Sequence, residues 1–132
     1  MKSLRALQGL TALLGTVPVV TGLLTMMGVH DPIYAGAGIP THALLDSNLR
    51  FFGGVWLGLG LAVYWMVPRL PAQTALFRVV WLAIFLGGIG RLLSMLLIGF
   101  PPAPFIAFTA LEIVGGPAFV AWQARLARAP AA

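Results

Sequence analysis

The chain has 132 residues, 60% of them hydrophobic and 8% charged, and a mean hydropathy of +0.98, whereas roughly a quarter of the residues of a soluble domain are charged. That composition excludes an ordinary water-soluble globule and predicts an integral membrane protein. Cysteine is absent and the formal net charge is +5. Disulfides, thiolate nucleophiles and thiolate metal sites are therefore excluded. The basic residues flank apolar runs instead of forming a stripe, which argues against nucleic acid.

About 20 apolar residues cross a bilayer core, and four such runs are predicted, over residues 6–28, 42–67, 74–99 and 104–123. The first follows Lys2 and Arg5, and Ala35-Gly36-Ala37 has the look of a cleavage site. The run exceeds a signal-peptide core, so a retained first helix is expected, kinked at Pro18. "VHDPIYAGAGIPT" then makes a Gly- and Pro-rich connection. The second run opens with "LLDSNLRFFGG" and carries a GxxxG at Gly54 and Gly58, with Gly53 and Gly60 as further small surfaces for close helix approach. "VPRLPAQT" leads into the third run, which holds Gly87, Gly88 and Gly90. "GFPPAP" is a tight corner into the fourth, where Gly115-Gly116-Pro117 predicts a kink. The expected fold is all-α, a single four-transmembrane-helix bundle with short loops.

Lys2, Arg5, Arg69, Arg78, Arg125 and Arg128 lie by the N-terminus, the second connection or the C-terminus, while the other two connections lack Lys and Arg. The positive-inside rule then places both termini in the cytoplasm, as a multi-pass protein of a bacterial cytoplasmic membrane. Tyr64, Trp65, Trp81 and Trp122 fall near the same helix ends, where interfacial aromatics collect.

Beyond those basic residues, the spans hold Arg50, Arg91, Asp46 and Glu112. Arg91 and Glu112 are equally distant from the Pro101-Pro102 corner, so an antiparallel hairpin sets them at one depth, ~12 Å below the helix ends at 1.5 Å per residue. Arg50 is expected at a comparable depth. An isolated charge at the bilayer centre costs roughly 2.5 to 3.5 kcal/mol, which favours pairing. Asp46 and Arg50 have i,i+4 spacing with the acid first, the favoured order along a helix. Asn48, Ser47, Ser94 and Thr109 add hydrogen-bonding groups close by.

Three readings follow. In the first, Arg50, Arg91, Asp46 and Glu112, with Asn48 and Ser94, line an outward-opening pocket for a small amphipathic or anionic ligand such as a membrane lipid, because guanidinium forks match phosphate and carboxylate. In the second, the cluster only locks helix packing, Asp46 acting as a helix cap, and the glycine surface meets a second copy or another membrane protein. In the third, Glu112 serves a small proton-coupled carrier, although the chain has three acids in all and none leads onward from Glu112. His30 with Asp31 and His42 with Asp46 have no recognisable metal-ligand spacing, the histidines are not placed to hold a haem, and no nucleophile, base and acid stand in catalytic arrangement. No cofactor, metal or reaction is expected.

"LLDSNLRFFGGVWLGLGL", "FLGGIGRLLSMLLIGFPPAPF" and "ALEIVGGP" together resemble the bacterial four-helix membrane proteins grouped as the domain of unknown function 4345 family. The resemblance covers nearly the whole chain. It implies that topology and a shared polar cluster at Asp46, Arg50, Arg91 and Glu112, and no activity. The orientation has a direct check: a reporter fused after Arg128 should be active on the cytoplasmic side, and activity confined to the periplasm would reverse the assignment.

Overall fold

The computed structural model describes residues 2–128. The fold is all-α. Helices α1 (Lys2–Thr25), α2 (Ala43–Met66) and α3 (Thr74–Leu97) are followed by α4 (Ala103–Ala110), a π-helical turn (Leu111–Gly115) and α5 (Gly116–Arg128), these last three forming one continuous rod. Four segments are long and apolar enough to cross a membrane: Lys2–Thr25, Ala43–Arg69, Thr74–Leu97 and Ala103–Arg128. Only 22% to 28% of each is buried within the protein, and Leu96, Leu97, Ile98 and Phe100 are among the most exposed side chains. Such a surface suits lipid as the solvent, as a four-span membrane bundle requires.

The chain separates into two compact units, residues 8–68 and residues 69–128 with 2–7. In the first, α1 and α2 form an antiparallel hairpin. A Cβ added at Gly22 would meet the backbone of Gly53 and Leu57 at 2.6 to 2.9 Å, and one at Gly53 would meet the backbone of Met26 and Thr25 at 2.6 to 2.8 Å. Gly60 lies as tightly against Val19, and Gly15 against Val63. The contacts along α1 and its end therefore recur at Gly15, Val19, Gly22 and Met26, and those on α2 at Gly53, Leu57, Gly60 and Val63, the spacings of three and four residues that make a helix seam. Small residues let the backbones close without hydrophobic pressure, which lipid does not supply. Trp56 Nε1 donates to Thr21 Oγ1 at 2.8 Å and Gln8 Nε2 to the Val67 carbonyl at 3.0 Å, tying the hairpin at two heights.

In the second unit, α3 packs against the π-turn and α5. A Cβ at Gly88 would meet Glu112 Cβ at 2.8 Å, and one at Gly116 would meet Phe85 Cβ and the Trp81 carbonyl at 3.3 Å. Trp81 stacks on Phe119, with ring centroids 4.4 Å apart, and Gln123 Nε2 donates to Thr74 Oγ1 at 2.7 Å. Thr109, Glu112, Gly116, Phe119 and Gln123 again follow four-and-three spacing. Trp122 Nε1 donates to Ser3 Oγ at 2.9 Å, which attaches the start of α1 to this unit.

The observed ends differ from the hydropathy-based ones for local reasons. α1 stops at Thr25 because Gly28, at φ +68°, turns the chain, and a left-handed glycine beyond a helix end is a common stop. The last rod continues past Gln123 to Arg128 because Ala and Arg favour helix even where the run ceases to be apolar. α1 runs unbroken through Pro18. The disturbance expected at Gly115-Gly116-Pro117 takes the form of the π-turn just before it: Pro117 has no N–H for the Ile113 carbonyl and its ring crowds that group, which a wider turn relieves. Trp81 is buried in the second unit, 4% exposed, and not at a helix-end belt.

Gly54 and Gly58, the glycines of the sequence motif, have nothing within 4 Å of an added Cβ, so the hairpin seam is built on their neighbours. Gly53→Ala should therefore lower stability on the order of 1 to 3 kcal/mol by overpacking. Gly54→Ala should be neutral or gain up to about 1 kcal/mol of helix propensity. Thermal or SDS-driven unfolding in detergent micelles reads both.

Candidate functional site

The two arginines that the sequence treats alike have different bonding states. Arg50 lies in the second turn of α2, opposite the end of α1. Its Nε donates to Asp46 Oδ2 at 2.7 Å, Nη1 to the Met26 carbonyl at 2.9 Å, and Nη2 to the Met27 carbonyl at 3.2 Å and Asp46 Oδ1 at 3.3 Å. Four of its five N–H donors are thus engaged within its own hairpin. Met26 and Met27 directly follow α1, where helix carbonyls have no intrahelical partner and a positive charge is favoured. Asp46 completes the closure by accepting from the Val29 N–H at 3.0 Å, and as an acid in the first turn of α2 it also complements that helix's dipole. The cap of α2 is His42, whose Nδ1 accepts from the Leu44 N–H at 3.2 Å, so Asp46 is not the cap.

Gly28 is the third part of this closure. A side chain there would collide with the Asp46 carboxylate and the Arg50 guanidinium. Its positive φ and its missing Cβ are required by the same contact. Asp31 stabilises the turn that follows, accepting from Thr25 Oγ1 at 3.0 Å and the Ile33 N–H at 2.9 Å. Asn48 is exposed on α2.

Arg91 and Glu112 meet in the other unit, Nε to Oε2 at 3.2 Å. Gly88, one turn before Arg91, has no side chain to hold the Glu112 backbone away from α3, so a carboxylate on a short stem reaches the guanidinium. The contact is an ion pair off the hydrogen-bond line, since the buried Oε2 has no hydrogen-bond partner. Arg91 also sits over the Phe105 ring, its Cζ 5.7 Å from the centroid, within cation–π range. Its side chain is 41% exposed and that of Glu112 only 12%. Neither Nη of Arg91 has a hydrogen-bond partner among the described residues.

Beside that guanidinium is a pocket of about 370 Å³, lined by Arg91, Ser94, Ile98, Phe100, Phe105 and Thr109 among others, all from this unit. Thr109 is buried and its hydroxyl donates to the Phe105 carbonyl at 2.8 Å. The sequence-predicted residues thus form two groups, Asp46 with Arg50 in one unit, and Arg91, Glu112 and Ser94 in the other. Sequence reasoning missed the Met26 and Met27 carbonyls, Gly28 and Phe105. Gly28 had a signal, a glycine just past an apolar run. Phe105 had one too, falling seven residues before Glu112 on the same helix face.

Arg50→Met should remove the donor to the Met26 carbonyl, leave the Met27 carbonyl with only the His30 N–H and Asp46 with only the Val29 N–H, lowering the unfolding midpoint by several degrees. Arg50→Lys should recover only part of the loss, because one ammonium cannot span two carbonyls and a carboxylate as the planar fork does. Circular dichroism melts in micelles provide the comparison.

No curated protein and no solved structure matches the chain. The family model described as "Domain of unknown function (DUF4345)" matches residues 6–123. That match takes in the second and third membrane segments whole, most of the first and fourth, and both charged pairs, and the chain belongs to this family.

Proposed function

We propose that the protein is a non-catalytic structural or accessory subunit of a bacterial cytoplasmic membrane, with both termini in the cytoplasm and with charged pairs that hold its helices in register. The observation that carries this reading is the occupancy of Arg50: a guanidinium already bonded to two carbonyls and a carboxylate of its own hairpin has little left to offer a ligand. The Arg91–Glu112 pair, at 3.2 Å, supports the same role between α3 and the π-turn. The Gly54 and Gly58 face is left for a partner, either a second copy or another membrane protein. Orientation rests on the distribution of the six flanking basic residues.

The lock has a specific energetic signature. Arg91→Met alone leaves the Glu112 carboxyl without its partner and should cost on the order of 3 kcal/mol. Arg91→Met with Glu112→Leu exchanges the pair for apolar packing and should restore most of that loss. Equal destabilisation of the single and double variants in SDS unfolding would remove the basis for a packing lock.

A further inference from the structure

The two charged pairs differ in one respect that packing does not explain. Arg50 spends four N–H donors inside the protein, whereas Arg91 lines a pocket, pairs with Glu112 at Nε, and has no hydrogen bond from either Nη among the described residues. The approach of Glu112 is at Nε, and the edge between the two Nη atoms carries no hydrogen bond among the described residues. That edge is the fork that binds two oxygens of a phosphate or carboxylate side by side. Ser94, one turn further along α3, lines the same pocket, and its hydroxyl has no partner among the described residues. Met95, Ile98, Phe100 and Phe105 give the pocket apolar walls, and the Thr109 hydroxyl that also lines it is already bonded to the Phe105 carbonyl.

Depth fits an amphipathic occupant. α3 has 24 residues, about 36 Å at 1.5 Å per residue, so it overreaches a ~30 Å hydrocarbon core by about 3 Å at each end. Arg91 precedes the Leu97 end by six residues, about 9 Å, and thus begins roughly 6 Å beneath the hydrocarbon boundary. An oxyanion there needs an apolar body, and the mouth of the pocket offers Ile98 and Phe100, both more than three-quarters exposed, for that body to lie against. Glu112 pairs with this guanidinium and is not among the residues that line the pocket.

We propose that the pocket at the Pro101–Pro102 end of α3 binds an oxyanion of phosphate type, carried on an amphipathic molecule, through the Nη edge of Arg91 and the Ser94 hydroxyl. The site goes beyond the packing role and does not depend on it. Phosphatidylglycerol and a free phosphate ion share the recognised chemistry, and the experiment separates them.

The full-length protein, purified in a neutral maltoside detergent, is titrated with phosphatidylglycerol, with diacylglycerol as the phosphate-free control, and separately with inorganic phosphate, and adducts are read by native mass spectrometry. Wild type should bind phosphatidylglycerol in preference to diacylglycerol. Arg91→Gln should bind it about tenfold more weakly or less, the loss of a charge-assisted hydrogen bond. Ser94→Leu fills the pocket from an exposed helix position and leaves the Arg91–Glu112 pair in place, so it should weaken binding in a protein of unchanged helix content and melting point. A lipid adduct insensitive to phosphate would support the amphipathic carrier; phosphate that binds alone and displaces the lipid would overturn that part of the proposal in favour of a soluble anion. Equal phosphatidylglycerol binding by wild type and both variants, or no preference over diacylglycerol, would overturn the proposal.

Discussion

The closure of α1 by Arg50 is the contact on which the first hairpin depends. A helix that ends inside or near a bilayer leaves carbonyls without partners, and lipid provides no donors to replace water. One guanidinium reaching back from α2 satisfies the Met26 and Met27 carbonyls together. Its own charge is then offset by Asp46, which in turn takes the Val29 N–H. Every later feature of the hairpin is compatible with that knot: Gly28 has to be a glycine, and the helices must approach closely enough for the reach, which Gly22 and Gly53 permit.

The second unit solves a different problem with the same residue types. Here the charge lies within a helix and not at its end, and its partner comes from another helix. A mid-helix acid can approach α3 only where α3 lacks a side chain, and Gly88 provides that place. The π-turn occupies Leu111–Gly115, so Glu112 belongs to the locally widened part of the rod. Such turns recur at functional sites because they re-aim a side chain within an otherwise regular helix. Its cause here is mundane, a proline two residues on, yet its consequence falls on the one acid of the unit.

Much of this was legible in the sequence, and the boundary of legibility has a physical reason. Side-chain pairs on regular helices follow from counting: i,i+4 spacing brought Asp46 to Arg50, and equal distance from the Pro101-Pro102 corner brought Arg91 to Glu112. The partners that decide the role of Arg50 are main-chain carbonyls. Every residue has one, so no residue type at positions 26 and 27 marks them. Hydropathy likewise located the crossings but not the helix ends, because helix propensity and turn glycines, and not lipid, set where α1 and the last rod stop. The glycine motif at Gly54 and Gly58 misdirects for a related reason: the seam of a hairpin is chosen by the register of both helices, and only Gly53 and Gly60 fall in phase with Gly15, Val19 and Gly22.

The same reasoning explains why formal charge balance is a poor guide to function in this chain. Two acids and two arginines cancel on paper, and sequence alone then favours one self-neutralising cluster. Charge, however, is scalar, while a guanidinium has edges and each hydrogen bond uses a direction. Asp46 and two carbonyls consume the directions of Arg50; Glu112 meets Arg91 at Nε and off the hydrogen-bond line, and it offsets the charge without forming a hydrogen bond to the fork. An arginine that is electrically paired but geometrically unfilled can hold a helix and still recognise an oxyanion, so a packing role for the Arg91–Glu112 pair and a binding role for its pocket are compatible properties of one contact.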